Sequence, residues 1–223
     1  MDTGNPVSLT WNTTDTPEEL HAPLKTLSEA YPLSEGSKGS TALAFCKSDT
    51  FGRLHVHSDG NKTTITYGSV PAALRGVAKA LAGQEADEKT TFTTYGIMLD
   101  CSRNAVMAVP HLRKWLRQLA LMGYNMVMLY TEDTYQLPDE PYFGYMRGGY
   151  SAEEIRDLDA YATSLGMEMI ACIQTLGHME QALKWDYYSD IRDTENILLV
   201  DEEKTYSLID KMIAFWSDAL STD

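Results

Sequence analysis

The chain has 223 residues, 43% hydrophobic and 22% charged, a balance that fits one or two globular domains and argues against long disorder. Its net charge of -14, with no block rich in lysine or arginine, repels phosphate backbones and excludes nucleic acid as a partner. No apolar run is long enough to span a membrane, and Met1-Asp-Thr-Gly-Asn-Pro6 lacks the basic and apolar segments of a leader, so the expected location is cytoplasmic.

Residues 7–11 predict a first strand, and Thr16-Pro-Glu-Glu supplies the N-cap, N1 proline and early acids of a helix ending near Pro32. A loop from Ser34 to Gly39 follows. Residues 41–46 and 53–57 read as strands, the second with period-two alternation, and Asp59-Gly60 marks a hairpin turn into a β-branched strand over 62–67. Ser69-Val-Pro then opens a helix with Val70, Leu74, Val77, Ala78 and Leu81 on its apolar face. This β-α-β-β-α order implies a small α+β domain with a mainly antiparallel sheet. The polar stretch Gly83–Thr90 closes it, so the domain boundaries are set at 1–90 and 91–223.

The second part opens with Tyr95-Gly-Ile-Met-Leu-Asp-Cys-Ser-Arg-Asn104, a short apolar run ending in Asp100, Ser102, Arg103 and Asn104. Pro110 to Gly123 is an amphipathic helix, with Leu112, Trp115, Leu116 and Leu119 as core stripe and Arg113, Lys114 and Arg117 toward water. Two further strands repeat the plan: residues 125–130 run into Glu132 and Asp133, and residues 167–173 run into Gln174 and His178. Ser151-Ala-Glu-Glu is a capping-box start for the helix between them, and Asp201 begins a last helix reaching about Leu220. Strands alternating with helices predict parallel pairing, with every strand delivering its polar residues to one edge. α/β barrels keep their active sites on that edge.

A whole barrel needs roughly 250 residues. Residues 91–223 therefore read as the first three β/α units of an incomplete TIM (β/α)8 barrel. Open strand edges and an uncovered inner face then call for self-association or for pairing with the rest of the barrel.

Among residues that carry chemistry, Arg103 offers two parallel donors to vicinal hydroxyls or a carboxylate; the alternative is a salt bridge to Asp100, Glu132 or Asp133. Glu132 and Asp133 suit the acceptance of sugar hydroxyls or an exposed loop, with Tyr130 and Tyr135 nearby favouring a site. His178, after Gly177, suits donation to a ligand or a structural role. The aromatic loop Pro141–Tyr150 suits ring stacking on a sugar or packing over the sheet rim. His55 and His57 share a strand face without a third ligand, so neither metal nor cofactor is expected; His21 and His111 lie away from the proposed edge. Cys46, Cys101 and Cys172, odd in number and widely spaced, read as buried free thiols in a reducing compartment.

The segment Leu99-Asp-Cys-Ser-Arg-Asn104, the carboxylates after Met128-Leu-Tyr-Thr131, the helix from Ser151 to Ala162 and Gly177-His178 resemble the early barrel of the family-twenty glycoside hydrolases, the β-N-acetylhexosaminidases. The domain in front resembles the α/β domain that precedes the barrel there. The resemblance implies exo-acting, retaining removal of terminal N-acetylglucosamine or N-acetylgalactosamine, in which the sugar's own acetamido oxygen attacks the anomeric carbon. It further implies that Arg103 binds the 3- and 4-hydroxyls, that Glu132 or Asp133 supports them, and that His178 belongs to the network behind the acid. The family's catalytic Asp-Glu pair follows the fourth strand and is expected beyond Asp223. No catalytic acid is thus expected within the chain, which by itself is expected to be inactive. Gln174 and Leu176, where the family commonly has acid and proline, mark a divergent branch. Two other readings stand beside this one: a non-catalytic carbohydrate-binding or assembly module, and a barrel glycosidase with a conventional nucleophile.

Overall fold

The computed structural model describes residues 7–36, 41–103 and 105–222; Met1 to Pro6, the end of the expected Ser34–Gly39 loop, Asn104 and Asp223 lie outside them. Among the described residues the architecture is mixed α/β with two sheets. Two compact units are present, Met1–Gly96 with Lys114–Met126 and Ala162–Met167, and Ile97–Arg113 with Val127–Tyr161 and Glu168–Asp223. Among the described residues no helix is long and apolar enough to cross a membrane.

The first sheet contains β1 (Leu9–Trp11), β2 (Leu33–Glu35), β3 (Thr41–Lys47), β4 (Arg53–Asp59), β5 (Lys62–Tyr67) and β6 (Ala86–Lys89), in the order β2-β1-β3-β5-β4-β6. It is not mainly antiparallel as the sequence implied. β1 runs parallel to β2 and β3, and β3 parallel to β5; only β4 opposes its neighbours β5 and β6. The reason is that β5 turns back at Gly60 (φ +61°) and inserts between β3 and β4, so it runs with the first while opposing the second. Leu54, Val56, Ile65 and Tyr67 alternate into the core.

Two strands lie where the sequence suggested irregular chain. β2 occupies the start of the expected loop, and β6 falls within the polar stretch taken as the end of the domain. Both are short and polar, without the apolar alternation that announces a strand. β6 is an edge strand, and its charges are used: Asp87 pairs with Arg53, and Glu88 takes two bonds from Arg75 at 2.5 and 3.1 Å.

Helix α1 (His21–Ser28) is preceded by a 3-10 turn at Glu18–Leu20, and Thr16 makes no cap there. Helix α2 (Val70–Leu81) begins as expected: Ser69 Oγ accepts the Ala72 N–H at 3.4 Å, and a proline occupies the first turn. Gly76 lets this helix lie close on the sheet, since an added Cβ would come within 2.6 Å of Ile65 Cγ2.

The second sheet orders β7 (Gly96–Asp100), β8 (Met126–Thr131) and β9 (Glu168–Ile173) as β7-β8-β9. Asn125 N–H donates to Tyr95 O where β7 and β8 start, and Cys101 N–H to Tyr130 O where they end, so the two run parallel. Gln174 N–H donates to Thr131 O, joining the carboxyl ends of β8 and β9. Helices α3 (Val109–Met122), α4 (Ala152–Ser164), α5 (Glu180–Leu183) and α6 (Glu203–Ala219) complete the chain.

On α3 the buried stripe is Leu112, Leu116, Leu119 and Ala120, whereas Trp115 is 36% exposed and not core. The buried positions keep the i, i+4, i+7, i+8 spacing of a period-3.6 stripe, and Trp115 falls on its margin. Of the three free thiols only Cys101 is buried; Cys46 lies on the open face of β3, beside buried Phe45, and is exposed. The capping box forms: Glu154 N–H donates to Ser151 Oγ at 3.1 Å and Ser151 N–H to Glu154 Oε2 at 2.9 Å. Ser151→Ala removes both the acceptor and its reciprocity, so a loss of about 1 kcal/mol is expected, read as a lower urea midpoint at unchanged slope.

Candidate functional site

The site grows from the carboxyl end of β7. Asp100 closes an Asx-type turn, with Oδ1 accepting the N–H groups of Ser102 at 2.9 Å and Arg103 at 3.0 Å, while Oδ2 takes the Arg103 guanidinium at 3.0 Å. Burial raises the Asp100 carboxyl, but those two N–H groups and the guanidinium outweigh it and hold the value below the ordinary range. Arg103 also lies over the Tyr130 ring, 4.9 Å from its centroid, and reaches the Tyr130 hydroxyl at 3.4 Å. The salt-bridge reading of Arg103 is thus correct in this state, with Asp100 as partner. Its side chain nevertheless remains 55% exposed.

At the end of β8, Glu132 is anchored twice: its N–H donates to Ser102 Oγ at 2.7 Å, and its carboxylate accepts the Tyr130 hydroxyl at 3.0 Å. Burial and that carboxylate raise the Tyr130 phenol and keep it a donor. Asp133 takes a different role from Glu132. It is 1% exposed and pairs with Arg147, whose other nitrogen reaches the Ser102 carbonyl. Burial pushes the Asp133 carboxyl above the ordinary aspartate value, although Arg147 pulls it down. Its second oxygen, Oδ2, is buried without a partner among the described residues.

His178 adopts a left-handed backbone, φ 59°, a conformation that costs a non-glycine residue about 1–3 kcal/mol and persists only where the surroundings impose it. They do so here. Met179 N–H donates to Asn196 O at 3.1 Å, Leu198 N–H to Leu176 O at 2.9 Å, and Gly177 bridges Ile197.

Arg103, Glu132 and His178 line one cavity of about 230 Å³, together with Ser102, Arg147, Glu180, Gln181 and Asn196. Asp133 sits behind this wall, and Asn104 lies outside the described residues. Tyr135, expected near the site, is core instead: it is 1% exposed and packs on Phe143, Phe215 and Trp216. The sequence reading missed Arg147, Glu180, Gln181 and Asn196. Arg147 carried a usable signal, a cation in a glycine- and aromatic-rich loop; Glu180 and Gln181 begin a short helix after β9, and Asn196 lies in irregular chain with no pattern pointing to the site. Among the described residues no group of three or more His, Cys, Asp or Glu side chains is placed to hold a metal ion, and His57 bonds Glu85 at 2.8 Å instead.

No family model matches the chain. Hexosaminidase D of Bos taurus is 31% identical over 100 residues, 41% of this chain and 28% of that protein. The GH20 exo-β-N-acetylglucosaminidase of Vibrio harveyi, solved in complex with N-acetylglucosamine, superposes with a TM-score of 0.72 at 17% identity, covering 97% of this chain. The GH20 β-N-acetylhexosaminidase of Streptomyces coelicolor gives 0.71 at 17% over 96%. The fold is that of the GH20 β-N-acetylhexosaminidases. The resemblance read from residues 99–178 therefore holds at the level of structure. The chain spans 42% and 53% of the lengths of these two GH20 chains.

Among the described residues Arg147 is the cation bonded to the buried Asp133, and removing one partner of such a pair costs about 3 kcal/mol or more. The pH dependence has a definite sign. A carboxyl with a raised folded value contributes stability below the ordinary aspartate value and loses it as pH rises through the raised one. Arg147→Met raises that value further, so its destabilisation is expected to be large near about pH 7 and smaller near about pH 4, measured by urea midpoints at both. Equal losses at the two pH values would dismiss the pairing as a stabilising element.

Proposed function

We propose that this chain is the amino-terminal portion of a β-N-acetylhexosaminidase-type glycoside hydrolase and supplies the hydroxyl-binding wall of its sugar site. In this reading residues 1–90 are the small α+β domain, and residues 91–223 are the first three β/α units of a TIM barrel. The observation that carries it is the cavity shared by Arg103, Glu132 and His178 after three successive strands. Its geometry suits sugar hydroxyls, for it combines a forked cation whose position is set by Asp100, an acid held by Tyr130, and an exposed histidine. Arg103 binds the 3- and 4-hydroxyls of a terminal N-acetylhexosamine, Glu132 accepts from them, and Asp133 with Arg147 supports Glu132 from behind. His178 belongs to the polar network toward the acid. The fold neighbours support a glycosidase, and the Vibrio harveyi enzyme carries N-acetylglucosamine. The reaction is exo-acting and retaining, with the acetamido group as internal nucleophile. The Asp-Glu pair that orients that group and protonates the leaving oxygen comes from outside the 223 residues. A reducing, cytoplasmic setting accords with three free thiols.

The binding test is a titration of the chain with N-acetylglucosamine, followed by calorimetry or amide shifts. Arg103→Ala is expected to weaken binding about tenfold or more, since charged hydrogen bonds are the strong ones. The chain by itself is expected to leave a chromogenic N-acetylglucosaminide uncleaved. Sugar binding that ignores Arg103, or turnover by the chain alone, overturns the assignment.

Assembly follows from the same reading. The three-stranded sheet buries Val127, Leu129 and Met169, while on β7 Met98 is 53% exposed and touches Cys172 of β9. Light scattering over a concentration series is expected to show self-association through this face or the open edges, relieved by a fragment carrying the remaining strands. A monomer at every concentration would refute it.

A further inference from the structure

A second cavity, of about 350 Å³, lies wholly within the first compact unit and shares no residue with the hydroxyl-binding wall. Leu54 of β4 and Ala72 of α2, both buried, contribute to its lining. Other lining residues are apolar and open to solvent: Phe51, Phe92, Tyr95 and Met122 are all exposed, Phe92 at 67% and Met122 at 52%. Large apolar side chains scattered singly over a surface need no explanation, but four around one cavity mark a binding surface. The volume is that of a small-molecule pocket.

The walls are preformed. Asn125, just before β8, clamps the chain that leads into β7: its Oδ1 accepts the Tyr95 N–H at 2.7 Å, and its Nδ2 donates to Thr93 O at 2.9 Å. The Tyr95 ring stacks on Tyr124, with centroids 4.2 Å apart and planes 26° from parallel. Gly52 packs against the backbone of Thr90, whose N–H donates to Gly52 O at 3.0 Å, and an added Cβ would collide with the Thr90 carbonyl. A site built in this way gives up little conformational freedom when it is filled.

Charge narrows the occupant. The chain carries a net charge of -14, yet this lining holds two cations, Arg75 and Lys89, against one carboxylate, Glu88. That carboxylate is already shared, for it accepts from Nε and Nη2 of Arg75 and lies 3.5 Å from Lys79 Nζ. Among the described residues Lys89 has no carboxylate partner, and Nη1 of Arg75 meets the Met122 carbonyl at 3.4 Å. A cationic ligand has no free acid to pair with, whereas an anion finds a local positive surplus beside aromatic rings.

We propose that this cavity binds a small aromatic carboxylate, its ring against Phe92 and Tyr95 and its acid toward Arg75 and Lys89. The site is independent of the carbohydrate reading. The test is calorimetry on the full chain with 2-naphthoate and its uncharged counterpart 2-naphthamide, together with amide shifts to locate the bound probe. The acid is expected to bind about tenfold more tightly than the amide. Lys89→Gln is expected to weaken naphthoate about threefold and leave naphthamide unchanged, while Phe92→Ala weakens both about fivefold. Both positions are exposed, so neither variant threatens the fold. Shifts are expected at Ala72, Gly123 and Asn125, and excess N-acetylglucosamine is expected to leave the naphthoate isotherm as it is. Equal affinity for acid and amide, shifts confined to the strands β7 to β9, competition by N-acetylglucosamine, or no binding of naphthoate each overturns the proposal, and none of them bears on whether Arg103 binds a sugar.

Discussion

Parallel pairing of three strands is the constraint on which the candidate site depends. Because β7 and β8 pair in the same direction, and β9 joins β8 at its carboxyl end, the residues that follow each strand collect on one edge. Asp100 with Arg103, Glu132 with Asp133, and His178 are separated by roughly thirty to eighty positions in sequence, yet the first, second and third strand ends bring them to one cavity and its backing. Antiparallel pairing would send alternate groups to opposite edges. No local propensity achieves this; it follows from helical crossovers between strands that are apolar along their length.

The polar groups delivered there are costly, and the structure offsets the cost through a connected network. Ser102 stands at its centre: Oγ accepts the Glu132 N–H, the hydroxyl lies 3.3 Å from Thr134 Oγ1, and the carbonyl receives Arg147. The same arginine neutralises Asp133, whose burial opposes its charge. The wall is thereby held in place partly by its own Ser102 and Arg147 and partly by Asp133 and Thr134 behind it. Glu132 and Asp133, adjacent in sequence just past the end of β8, divide the work: Glu132 lines the cavity and Asp133 is buried against Arg147. The left-handed turn at His178 is a further local cost, imposed by the bridge between Gly177 and Ile197 and the bonds around it.

Likeness of fold at 17% identity to GH20 enzymes, over nearly the whole chain, shows how little of the sequence such an architecture requires. Core positions need only be apolar and of suitable volume. The stretches with a readable resemblance, Leu99 to Arg103 and Gly177-His178 among the described residues, follow the ends of strands, where a substituted polar side chain loses a specific bond and not merely some volume.

By itself the sequence determined what rests on short-range chemistry. The strand-helix alternation, the Ser69 cap, the Gly60 turn and the reciprocal Ser151–Glu154 box all form where their residues place them, because each depends on neighbours within a few positions. The three polar strand ends were legible for the same reason, since each directly follows an apolar run. Tertiary structure alone decided the rest. The direction of β5 beside β3, the short polar strands β2 and β6, the exposure of Trp115 and Cys46, and the retreat of Tyr135 into an aromatic core depend on partners distant in sequence. So do Arg147, which reaches back 45 residues to Ser102, and Asn196, which meets the cavity from beyond α5. A long side chain, or a residue in irregular backbone, has no periodicity to reveal where it points, and only the folded chain supplies the partner that fixes it.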